Sequence, residues 1–204
     1  MTTNSVRPVV LRNGVEIEDP LAVVVGYVEA WRIPDSDLSR PASFGEADLR
    51  LANLDGARIS AVEIAAILER RRAIERRLRA NAPHASLAGA TSSVPWLALR
   101  QLFDAFADIR GVGCSKMTKA LHRKRPVLIP MLDRVVQRYL EHDDPGDQAA
   151  FGERALGLVR GYKRDLDRNR AGVRAVRQEL ARRGHSLTEV RILDLLIWSV
   201  EVAG

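Results

Sequence analysis

A single cysteine, Cys114, stands among 204 residues. One thiol per chain excludes a disulfide framework, a cysteine-based zinc knuckle and a four-cysteine iron–sulfur cluster, and it fits a reducing, cytoplasmic location. The four histidines (His84, His122, His142, His185) are scattered without ligand spacing, so neither a metal nor a cofactor is expected. Aromatics make up only 5% of the chain, whereas Ala, Leu and Arg recur, a mix that favours helix over sheet. No apolar run approaches the ~20 residues that span a bilayer, and residues 1–6 lack the apolar region of a signal peptide. No membrane contact is expected.

What is present is ordinary globular composition, 46% hydrophobic and 28% charged, enough for one domain or two small helical lobes sharing a core. The net charge is +6, which suits a polyanionic partner through counterion release, or plain solubility. Its distribution separates the two. Between residues 110 and 142 stand Arg110, Lys116, Lys119, Arg123, Lys124, Arg125, Arg134 and Arg138, against Asp133 and Glu141 alone. The window carries as much net charge as the whole chain.

Residues 1–20 read as an N-terminal arm or a small β-hairpin, because Asn13-Gly14 readily takes the positive φ angles of a tight turn. Residues 21–204 read as one helical domain. Helices are expected at 21–31, ended by Pro34-Asp35-Ser36, then near 45–53, and over 59–80, where Ile64, Ile67, Leu68, Ile74 and Leu78 make one stripe and Arg70, Arg71, Arg76 and Arg77 lie outside it. Residues 82–93 read as a linker, followed by helices at 92–109, 115–122 and from Pro130 to about Glu141. Asp144 or Asp147 is expected to cap a helix at 148–167; as a metal loop the acids of 141–147 lack a ligand register. Helices at 170–183, ended by Gly184, and 187–202, capped by Ser186 or Thr188, complete an all-α chain of about eight or nine helices.

The chemistry lies in residues 94–142. Gly111-Val112-Gly113 between two helices lets the backbone turn sharply, so the amides opening the second helix face an anion favoured by the helix dipole. A phosphate satisfies that arrangement, with Ser115, Lys116 and Lys119 beside it and Arg123, Lys124 and Arg125 following; the run 123–125 could equally be a soluble loop. Contacts of this kind hold a strand without reading its sequence.

The segment resembles the helix-hairpin-helix plus Gly/Pro-Asp region of the DNA glycosylase superfamily that includes endonuclease III and the adenine-mismatch glycosylase. Gly113 to Asp133 matches the family's interval from hairpin to catalytic Asp, and Pro130-Met131-Leu132-Asp133 is similar to the Pro-Ile-Leu-Asp of the adenine-mismatch branch. The resemblance implies a DNA-repair hydrolase in which Asp133 stabilises the sugar cation as a flipped base leaves. The bland role for Asp133 is a favourable charge at the start of a helix. Ser115 stands where lyase members carry a nucleophilic Lys, which implies a monofunctional enzyme; Lys116 as the nucleophile would sit about 100° further round the helix. Arg110 departs from the family by replacing the Pro before the first glycine, and a second carboxylate could be Glu63, Glu69, Asp48 or Asp55. The alternative is a non-catalytic helix-hairpin-helix protein that binds nucleic acid.

A second resemblance, through residues 47–53, 121–126 and 187–198, is to actinobacterial proteins of unassigned function. It implies that these stretches share one site or core. Arg50, Asn53 and Arg58 could line a pocket or serve as caps and surface charges. Asp194 and Trp198, one helical turn apart, read as core and cap rather than as pocket residues, the other role open to them.

Overall fold

The N-terminal turn forms at Asn13-Gly14, although of the two only Gly14 takes a positive φ. Gly14 takes φ 82°, a region open to glycine without strain. Strand β1 (Val9–Val10) then pairs antiparallel with β2 (Glu16–Ile17), Val9 opposite Ile17. The computed structural model describes residues 6–30 and 41–202. In it the ribbon is part of the packed body: Arg12 donates through Nε to Asp165 at 2.7 Å, and Asn169 both donates to and accepts from the Val10 backbone at 2.9 Å.

Ten α-helices follow among the described residues. They are α1 (Pro20–Ala30), α2 (Glu46–Leu54), α3 (Ala61–Glu69), α4 (Arg71–Ala80), α5 (Trp96–Asp104), α6 (Cys114–His122), α7 (Arg134–Tyr139), α8 (Phe151–Arg168), α9 (Arg170–Arg182) and α10 (Glu189–Glu201). The fold is all-α with a minor β element. Helix α5 packs on α4 and α8, and α2 packs on α6; α10 gathers α1, α7 and α9. These two helical groups share one apolar core, in which Phe44 and Phe106 meet edge to face at 6.1 Å. The segment joining α6 to α7 therefore crosses from one group to the other.

Several local expectations are corrected. The helix expected over 59–80 breaks at Arg70 (φ −92°, ψ 5°), whose Nη1 reaches across to the Ala107 carbonyl at 2.5 Å. A single-residue break leaves the apolar period nearly intact, so periodicity does not see it. The expected linker at 82–93 is anchored, with Leu87 wholly buried and its N–H bonded to the Val127 carbonyl. The helix expected over 92–109 spans only Trp96–Asp104. Asp144 and Asp147 do not cap α8; Ala150 holds that place without a side-chain bond, and both acids grip Arg154 instead, at 2.8 and 2.6 Å. Thr188 does cap α10, accepting from the Arg191 N–H at 3.0 Å. The expected stop at Pro34-Asp35-Ser36 lies outside the described residues.

Candidate nucleic-acid interface

The Gly111–Gly113 turn is built as the sequence requires. Gly111 takes φ 83°, which favours glycine, and the Glu63 carboxylate lies where its Cβ would be, 2.2 Å from Oε1. Val112 is buried and anchors the turn in the core, leaving Gly111, Gly113 and Arg110 exposed. Gly113 is the N-cap of α6 in extended conformation, with no side chain bonded there and open space around it. Among the described residues, the amides of Cys114, Ser115 and Lys116 have no acceptor; the first helical bond runs from Met117 N–H to the Gly113 carbonyl at 3.1 Å. Three unsatisfied N–H groups at the positive end of a helix dipole attract an anion.

Lys116 points to α3. Its Nζ lies 2.6 Å from Glu63 Oε1, while Glu63 Oε2 accepts from the Ser60 N–H at 2.8 Å and Ser60 Oγ accepts from the Glu63 N–H at 3.3 Å. Glu63 thus belongs to a capping box, legible in the sequence as Ser-x-x-Glu. Its carboxylate against the hairpin cation was not. Thr118, two residues and about 200° further round the helix, faces the opposite way and accepts from the Leu132 N–H at 3.0 Å. Lys116 and the segment carrying Asp133 therefore flank α6 on different sides.

The rest of the basic run is interior, which corrects its reading as a phosphate-binding loop. Arg125 is fully buried and donates to the carbonyls of Asn81 (2.9 Å), Pro41 (2.7 Å), Lys124 (2.7 Å) and Leu78. Two of these lie at the C-terminal end of α4, so the guanidinium satisfies the Asn81 carbonyl, adds a second donor to Leu78, which already accepts the Asn81 N–H, and sits at the negative end of a helix dipole. Lys124 pairs with Asp48 at 2.7 Å, and Arg123 lies 3.7 Å from Asp55, all four side chains being about nine-tenths buried or more. Lys119 is buried as well and donates to the Asp55 carbonyl at 2.8 Å; burial pushes its pKa down, with Asp133 and Asp55 pulling the other way. The charges clustered in sequence are spent largely on holding α2, α4 and α6 together.

Asp133 is half-buried at the N-cap of α7. Pro130 to Leu132 form a non-helical lead-in, closed by the Asp133 N–H on the Met131 carbonyl at 2.9 Å, so the helix starts four residues later than expected. Asp133 Oδ1 accepts from the N–H groups of Val135 and Val136 at 3.0 and 3.1 Å, and Oδ2 accepts from Trp198 Nε1 at 2.7 Å. Trp198 thereby does more than pack the core, and Asp194, one turn earlier on α10, accepts from the Met131 N–H at 3.3 Å. The two side chains pin the lead-in from both ends.

Asp194 is an acid in an apolar interior. Burial pushes its carboxyl up to about 7, against the pull of Arg191 and the Met131 N–H. Nearby His122, also buried, donates Nδ1–H to the Ile129 carbonyl at 2.6 Å, and burial pushes its pKa down to about 4. The two groups act on stability with opposite sign. Asp194, raised in the fold from an ordinary 3.8, favours folding when protonated, so its contribution is full below about 4 and is lost as pH rises through about 7. His122, depressed from 6.5, contributes fully above 6.5 and loses that as pH falls through about 4. Asp194→Asn, which mimics the protonated acid, should melt close to wild type at pH about 4 and gain on it steadily toward pH about 8. Thermal melts across that range check this; a difference independent of pH would refute the interior acid.

Arg50, Asn53 and Arg58 do not meet in a pocket. Arg50 is exposed and paired with Glu46 at 2.5 Å. Asn53 closes the turn after α2, accepting from the Ile59 N–H at 2.6 Å and donating to its carbonyl at 2.9 Å. Arg58 is exposed at φ 55°. A cavity of about 140 Å³ lies between Ser86, Val127 and Thr188, and an open groove of about 750 Å³ runs between Arg7 and Arg174; neither is lined by Asp133 or the hairpin. Among the described residues no group of three or more His, Cys, Asp or Glu is placed to hold a metal ion, and no helix is long and apolar enough to cross a membrane.

Residues 27–201 match a protein-family model described as a family of unknown function, DUF6308. No curated protein and no solved structure matches the chain.

Proposed function

The chain belongs to the DUF6308 family, whose function is unknown, and from its own site we propose that it binds DNA through the Gly111–Gly113 hairpin as a glycosylase-like protein acting on a flipped base. One observation carries the binding: the half-buried first turn of α6, opening at the exposed Gly113, holds three amides without acceptors, with Lys116 beside them. A backbone phosphate supplies the missing acceptor and the compensating charge. Arg110, Gly111, Gly113, Ser115 and Lys116 form this contact, while Lys119 and residues 123–125 support it from inside.

Asp133 is the carboxylate of the reaction in this reading. Thr118 on the hairpin helix bonds the lead-in to Asp133, so hairpin and acid are held by one rigid element, and the Trp198 indole fixes one oxygen. Such a carboxylate stabilises the positive sugar as the base departs and orients water toward it. Lys116, paired with Glu63 on the other flank of α6, takes the role of a phosphate contact, not of a nucleophile.

A second reading, a binding scaffold without chemistry, is favoured by one observation: Asp133 already accepts three hydrogen bonds, which a helix cap alone explains. Asp133→Asn separates the two. Asparagine keeps the cap through its one oxygen but sets its NH2 against the Trp198 indole N–H, a local cost of about 1–3 kcal/mol, while duplex binding at the hairpin should be unchanged. Excision from oligonucleotides bearing alkylated, deaminated, oxidised or mismatched bases, read by alkaline cleavage, should fall at least about a hundredfold. Equal activity in both proteins, or none in either, removes Asp133 chemistry and leaves the scaffold.

A further inference from the structure

Helix α4 carries an arginine face that its own stability does not explain. Arg72, Arg76 and Arg79 stand at i, i+4 and i+7, hence on one side of the helix, and all three are exposed. Among the described residues none has a carboxylate within 4 Å, although the helix's other arginines are engaged: Arg71 with Glu75 at 3.0 Å and Arg77 with Gln101 at 2.8 Å. Helix α9 shows the ordinary solution to a basic face. There Arg170 meets Asp167, Arg177 meets Glu189, and Arg182 and Arg183 share Glu179.

Like charges at i and i+4 repel. Arg72 also sits in the first turn of α4, where no acid is present and where the dipole disfavours a cation. Among the described residues Arg72 and Arg76 meet no carboxylate, and Arg79 feels only Glu75, which Arg71 already holds, so the three guanidinium groups are kept against a local cost. They sit on a fixed platform: Ile74 and Leu78 are wholly buried beneath them, Arg70 ties the start of the helix to Ala107, four residues before Gly111, and Asn81 ties its end to Ala98. The face spans about 10 Å along the axis, against one phosphate per about 3.4 Å of each DNA strand. Guanidinium forks suit phosphate oxygens bidentately.

We infer that the Arg72–Arg76–Arg79 face is a second contact for the phosphate backbone, extending the grip of the hairpin along the same DNA. This rests on the DNA-binding reading above. The test measures binding of a labelled duplex of about 20 base pairs from about 50 to 300 mM salt. It compares wild type, the triple variant Arg72→Gln/Arg76→Gln/Arg79→Gln and Lys116→Ala. All three α4 positions are exposed, so the fold should hold, which circular dichroism and thermal melting verify. The slope of log affinity against log salt should fall in magnitude by about 2 to 3 in the triple variant, with at least about tenfold weaker binding at low salt. Lys116→Ala, reading the hairpin separately, should change the slope by no more than about 1. An unaltered slope in the triple variant, with wild type binding and Lys116→Ala weakened, overturns the α4 contact and spares the hairpin. No duplex binding by wild type overturns both, and binding of polyglutamate in place of DNA reassigns the face to an acidic protein.

Discussion

Arg125→Met should destabilise the protein by at least about 3 kcal/mol and lower its Tm by roughly 10 °C. The side chain is fully buried and serves four carbonyls, from α4, its C-cap residue, the segment at Pro41 and its own neighbour. Methionine fills the volume and strips the donor from the Asn81, Pro41 and Lys124 carbonyls, Leu78 alone keeping the Asn81 N–H; each buried acceptor without a donor costs about 1–3 kcal/mol. Against a typical stability of 5–15 kcal/mol, that is a large fraction. Arg125→Lys retains the charge but not the planar fork, so it should recover only part of the loss. Urea or thermal unfolding measures both. The same lysine variant should bind duplex DNA as wild type does. A variant with normal stability and lost DNA binding would put Arg125 on the surface and undo the assignment.

The second large effect is expected at Glu63, and its sign is opposite to that of most substitutions. Its carboxylate lies over Gly111 and 2.6 Å from Lys116, where an approaching phosphate meets like charge. A phosphate within a few ångströms of that carboxylate suffers a repulsion of about 1–2 kcal/mol in a mostly aqueous setting. Glu63→Gln retains a capping-box residue and removes the charge. Duplex affinity should rise by about tenfold at low salt, with the gain shrinking as salt rises. Lys116→Ala should then cost more in the Glu63→Gln background than in wild type, because only there is the ammonium uncommitted. A double-mutant cycle by fluorescence anisotropy reads this coupling. Additive effects would mean that Lys116 and the phosphate do not meet at the hairpin.

Neither effect is visible along the chain. The run Arg123-Lys124-Arg125 in sequence is a concentrated charge, and charge is expected at the surface because burying an ion is costly. The cost is met by partners far away in sequence: Asp48 for Lys124, Asp55 for Arg123, and carbonyls at 41, 78 and 81 for Arg125. A similar remoteness hides Glu63, whose capping role is local while its contact with Lys116 spans 53 residues. The α4 face was half legible. Its arginine richness and the local Arg71–Glu75 pair can be read along the chain, but the engagement of Arg77 depends on Gln101 across the packing.

Local chemistry determined the helical class, the ribbon at Asn13-Gly14, a cap at Ser186 or Thr188, and the glycine turn opening α6, because propensity, turn conformation and caps act within a few residues. Apolar period placed most helices but not their exact limits, since a break at Arg70 or a delayed start at Asp133 turns on bonds to Ala107 and Trp198. Tertiary packing alone decided which cations stay at the surface and which are enclosed. Ionic and hydrogen-bond partners meet only when distant segments fold together, and their meeting sets both the burial of a charge and what remains free to hold a ligand.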